Sequence, residues 1–101
     1  MADVKITVAA IKTTHAPGTI GGNWIFEVAD KDGNEVDQQV SGIQEATFQL
    51  PVGNYRARVY RAEAGADDKI LGAPSIARFA VVEVAPVLID TAGPLKIEQL
   101  T

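Results

Sequence analysis

Apolar and polar residues alternate with a period of two along most of this chain. In residues 4–11, Val4, Ile6 and Val8 fall on one side and Lys5 and Thr7 on the other, the pattern of a strand with one buried face. Residues 12–23, with Pro17, Gly18, Gly21 and Gly22, predict a loop. Trp24, Phe26 and Val28 then alternate with smaller or charged neighbours and are the heaviest core candidates. Asp32-Gly33 between alternating segments predicts a hairpin turn, because glycine takes positive φ without steric cost. The polar return over 35–40 predicts an edge strand, where charge discourages unwanted pairing.

Residues 46–50 alternate again, and 51–54 read as a turn. The longest predicted strand covers 55–62, with Tyr55, Ala57 and Val59 inward and Arg56 and Arg58 outward. Shorter segments follow at 69–71, 77–84, 87–91 and 95–100, punctuated by Gly72, Pro74, Pro86, Gly93 and Pro94. No segment sustains a helical period. Roughly seven to nine short strands, with turn signals about every 8–12 residues, predict an all-β antiparallel sandwich. Its expected core is Trp24, Phe26, Phe48, Tyr55, Val59 and Phe79.

A chain of 101 residues is enough for one such core. The formal net charge of −4 argues against general affinity for nucleic-acid backbones, which needs surplus clustered Lys and Arg. The absence of cysteine excludes disulfides, thiolate metal sites and thiol catalysis. No apolar run approaches the roughly 18 residues that span a bilayer, so no membrane partner is expected. Residues 1–5 do not resemble a secretory signal, so synthesis in the cytoplasm is expected.

Chemistry is sparse. His15 is the single histidine and has no neighbouring carboxylate in sequence, so it reads as a surface-loop residue. Asp30-x-Asp32-Gly33-Asn34 has the start of a calcium loop, but Glu35 and Ser41 stand where the loop needs Gly and Glu. Phosphate-cradling, nucleophile-elbow and zinc-helix motifs are absent from the sequence. The 13 carboxylates sit in turns and outward positions and read as a solvated acidic surface. The expectation is therefore a non-enzyme without metal or cofactor.

The run from Leu50 through Pro51, Gly53, Asn54 and Tyr55 to Val59 resembles the late-strand signature of immunoglobulin-like and fibronectin type III-like domains. In those families a turn introduces a strand whose tyrosine hydroxyl bonds back to the turn backbone. Trp24 resembles their buried tryptophan, and Ala77 to Val81 their closing strand. The resemblance implies an immunoglobulin-like sandwich over 1–84 and a C-terminal extension over 85–101 with one or two further strands. It also makes neighbours of the strands carrying Arg56, Arg58, Arg61 and Arg78, with Arg56, Arg58 and Arg78 on one outward face. Those arginines either pair with the domain's own Glu and Asp or await an acidic partner.

Short, cysteine-free domains of this kind resemble accessory proteins of tailed bacteriophages. The implied role is a virion or capsid-decoration protein that binds and stabilises a protein assembly, with homo-oligomerisation within its reach. The alternative is an adhesive or carbohydrate/protein-binding module of a bacterial surface protein. Val87, Ile89, Leu95 and Ile97 are a heavy apolar load for a chain end, so the extension is expected to pack partly on another chain. Together with Arg56, Arg58 and Arg78 they are the expected partner-binding residues.

Overall fold

Two antiparallel sheets account for the alternating segments. The structure, a computed structural model, describes residues 1–8, 21–63, 66–83, 87–90 and 95–101. These contain eight strands: β1 (Ala2–Val8), β2 (Gly21–Asp30), β3 (Glu35–Ser41), β4 (Glu45–Leu50), β5 (Gly53–Glu63), β6 (Ala66–Val81), β7 (Val87–Asp90) and β8 (Leu95–Gln99). Sheet I has the order β4-β1-β8-β7 and sheet II the order β3-β2-β5-β6.

The inward residues of both sheets meet in one apolar cluster. Val4, Ile6, Phe48, Leu50, Leu95 and Ile97 come from sheet I. Trp24, Phe26, Val28, Tyr55, Val59 and Phe79 come from sheet II. All six expected core residues are buried, and the arrangement is sandwich-like. Burial of this apolar surface is the main force holding the two sheets face to face.

Two glutamines join the sheets by hydrogen bonds. Gln99, at the end of β8, is only 1% exposed. Its Oε1 accepts from the Val82 N–H at 3.0 Å, and its Nε2 donates to the Val82 carbonyl at 2.6 Å, just beyond β6. Gln39 Nε2 on β3 donates to the Thr47 carbonyl on β4. A buried amide with its donors and acceptor satisfied is cheap; one left unpaired costs about 1–3 kcal/mol.

The local predictions met the structure in different ways. The turn after β2 is a capped hairpin with Gly33 at φ 87°. The predicted edge strand is β3, at the margin of sheet II. The loop expected at 12–23 is shorter at its end, since Gly21 to Asn23 already belong to β2, and 9–20 lie outside the described residues. The segments expected at 69–71 and 77–84 are one strand as far as Val81. Gly72, at φ 81°, lies beside a register shift opposite Val59 and Arg61, which lets the strand absorb Pro74 without breaking the sheet.

The largest difference concerns the C-terminal segment. β8 is an interior strand of sheet I, hydrogen-bonded to β1 on one side and β7 on the other. Leu95 and Ile97 are buried in the domain's own core, at 3% and 0% exposure. Their apolar load is covered intramolecularly, so these two residues are not a surface for another chain. Val87 and Ile89 lie on β7, the margin of the same sheet, and their side chains lie outside the description.

Candidate functional site

The outward residues of the two sheets differ in character. On sheet I they are Asp3, Lys5 and Thr7 of β1, Glu45, Thr47 and Gln49 of β4, and Lys96 and Glu98 of β8. Lys5 pairs with Glu45 at 3.2 Å and Lys96 with Glu98 at 3.5 Å. Sheet II carries an apolar outer cluster instead: Ile25, Tyr60 and Ala62, all buried although they face away from the main core. Val40, Ile70 and Ile76 extend it and are 50%, 40% and 60% exposed.

Arg56, Arg58 and Arg78 share this outer face, as the resemblance implied. Their circumstances diverge. Arg58 Nη1 lies 2.8 Å from Glu27 Oε1 on the adjacent strand. The Tyr60 hydroxyl donates to the other Glu27 oxygen at 3.1 Å, and the Arg58 guanidinium stacks 4.8 Å above the Tyr60 ring. Arg58 therefore has an internal partner 31 residues away in sequence.

Arg56 and Arg78 do not. They stand directly opposite each other across β5 and β6. Neither makes an ion pair or side-chain hydrogen bond among the described residues, and Arg56 Nε is buried without a partner. Like charges placed opposite on neighbouring strands are destabilising. Arg61 faces the opposite side, with its guanidinium 5.7 Å from the Trp24 ring.

An open concavity of about 620 Å³ lies where β2 turns into β3, lined by Asp30, Lys31, Asp32, Asn54, Arg56 and Arg78. A smaller recess of about 110 Å³ lies beside it, lined by Glu27, Ala29, Glu35, Arg56 and Arg58 among others.

The acidic turn at the rim is engaged in folding. Asp30 Oδ1 accepts from the Asp32 and Asn34 N–H groups at 2.9 and 3.0 Å. These bonds, Asn34's first, hold the Asp30 carboxyl below its usual 3.8. Its Oδ1 is spent on the turn, and no group of three or more metal-ligating side chains occurs among the described residues. His15 lies outside the described residues. Behind the concavity the Tyr55 hydroxyl donates to the Pro51 carbonyl at 2.6 Å, and its ring stacks on Phe79 at 5.7 Å. Burial, and then the Asp30 charge, raises the Tyr55 phenol above its usual 10.0.

Sequence reasoning found the arginines but missed Ile25, Tyr60, Glu27 and Glu35 as parts of the same face. Shared parity on their strands was the available signal for Ile25, Glu27 and Tyr60, whereas Glu35 joins the face through the register shift between Val28 and Ala29. No family model, no curated protein and no solved structure matches this chain.

Proposed function

We propose that this chain is a non-enzymatic, immunoglobulin-like binding domain that docks on a protein assembly through the outer face of sheet II. The observation that carries the reading is the pair Arg56 and Arg78, opposed and without an ion pair among the described residues, beside an exposed apolar strip. Folding alone selects against both features, whereas a protein interface uses arginine and apolar contact together.

The strand order supports the immunoglobulin-like part. β3-β2-β5-β6 follows the C′-C-F-G order of such sandwiches, and β4-β1 follows E-B. The Tyr55 to Pro51 bond is the tyrosine corner of the closing half. β8 then takes the place beside β1 that the first strand A takes in those domains, arriving from the other end of the chain. On this reading the domain is a permuted sandwich, and β7 is an addition to its margin.

The assembly we propose is a bacteriophage virion, on the resemblance to small accessory proteins. The test is cosedimentation of the purified chain with structural assemblies encoded beside its gene. The expected result is binding by the native chain and loss of binding by Arg56→Glu/Arg78→Glu. Failure to bind any neighbouring capsid or tail assembly overturns the virion reading. Binding that is indifferent to the two reversals overturns the proposed face.

A further inference from the structure

The outer face of sheet II forms a grid whose charges are sorted by strand. From the β3 margin to the β6 margin, one row reads Glu35, Ala29, Arg56, Arg78. The next reads Gln38, Glu27, Arg58, Ile76. The third begins Val40, Ile25, Tyr60, and the last described pair sets Ala62 against Ile70. Carboxylates therefore lie on β2 and β3, guanidinium groups lie on β5 and β6, and the apolar residues other than Ala29 and Ile76 gather at the other end of the strands.

We propose that, while the chain is free of its assembly, the occupant of this face is a second copy of the same chain. The two copies are related by a two-fold axis that lies in the face, parallel to the strands and midway between β2 and β5. The inference rests on the reading of this face as a docking surface. Such a rotation lays β3 over β6 of the second copy, and β2 over β5, at unchanged height along the strands. Glu35 then meets Arg78 of the second copy, and Arg78 meets its Glu35. Arg56 faces Ala29 between Glu27 and Glu35. Ile25 lies over Tyr60, and Val40 lies toward the Ile70 side.

The same rotation brings the turn of the second copy, with Asp30 and Asp32, over Asn54, Arg56 and Arg78, where the concavity lies. Each unpaired arginine thus gains carboxylates, and the exposed apolar strip is covered by its own copy. The other in-plane axis, perpendicular to the strands, lays the charged rows on the apolar rows and leaves Arg56 and Arg78 unmet. An isologous contact needs this self-complementarity, and only the first axis provides it.

The size of the face sets the strength. Four strands about 4.8 Å apart and four side-chain rows about 7 Å apart cover roughly 500 Å². That is below the roughly 800 Å² per partner of a standard stable complex, so the dimer is weak and reversible. Sedimentation velocity over about 0.01–1 mM chain is the experiment. The native chain is expected to pass from monomer to dimer across this range. Arg78→Glu and Glu35→Arg, both at exposed positions, should each weaken the dimer at least about tenfold. Mixing the two variants should restore it, because every reversed contact is then complementary. A native chain that stays monomeric overturns the self-pairing and leaves the docking face to its own cosedimentation test. A native dimer unmoved by the reversals, or a mixture no tighter than either variant alone, places the contact elsewhere and overturns it too.

Discussion

The outer faces of the two sheets are each built from four antiparallel strands, yet they solve different problems. Sheet I presents Lys5, Thr7, Thr47, Gln49, Lys96 and Glu98, with its lysines held by neighbouring carboxylates. That is a surface finished by water. Sheet II presents Ile76, Ile70 and Val40 around a buried Ile25 and leaves Arg56 facing Arg78. The contrast teaches that alternation alone does not make an outward face a solvated one. What separates the two is whether each charge has a partner and whether apolar side chains form a continuous strip.

The largest effect should come from the core that both faces cover. Phe26→Ala removes a fully buried ring and should cost about 3–5 kcal/mol in urea unfolding, enough to unfold most of the population. The next test sharpens the contrast itself. Ile25→Ala, at an outward position on sheet II, should cost about 2–4 kcal/mol, because Ile25 is only 1% exposed beneath Tyr60 and Ala62. Lys5→Ala, at an outward position on sheet I, should change stability by less than about 0.5 kcal/mol. Equal effects at the two positions would erase the distinction between the faces.

Gln99→Leu should follow at about 1–3 kcal/mol, since it removes the bonds from β8 to Val82 and leaves backbone groups to seek water. A neutral result would show that the bonds of Gln99 to Val82 do not help to join the sheets.

Much of the fold was legible because its signals are local. The hairpin at Asp32-Gly33, the turn before Tyr55 and the inward aromatic residues each follow from a few neighbouring residues. The place of β8 was not legible, because sheet order depends on pairing across the whole chain. Leu95 and Ile97 therefore read as a spare apolar load rather than as core. Gln99 carried no signal either, since an isolated polar residue near a chain end gives no hint of a buried clasp. The arginine face was half legible: period two put Arg56 and Arg58 on one side of their strand, and the resemblance set Arg78 beside them. Only the strand register shows that Glu27 takes Arg58 and leaves the other two.

Tyr55→Phe deletes the bond to the Pro51 carbonyl and should cost about 1 kcal/mol. Its sharper signature is in pH. The folded state holds the Tyr55 proton more tightly than the unfolded state, so this contribution is whole below pH 10.0 and is lost as pH rises through the raised folded value. The Asp30 contribution runs the other way, present above 3.8 and lost as pH falls through the depressed folded value. Stability followed across both limbs should flatten on the alkaline side in Tyr55→Phe and keep its acid side.

The smallest effect is the most decisive. The account holds that Arg56 and Arg78 serve a partner and not the fold. The direct measurement is the unfolding free energy of Arg56→Ala/Arg78→Ala, taken at micromolar concentration where the chain is monomeric and association adds nothing. The account predicts a value within about 0.5 kcal/mol of the native chain, or slightly above it as the opposed charges are removed. A loss of more than about 1 kcal/mol would show that the pair holds the sheet together, and would contradict the reading of this face as a docking surface.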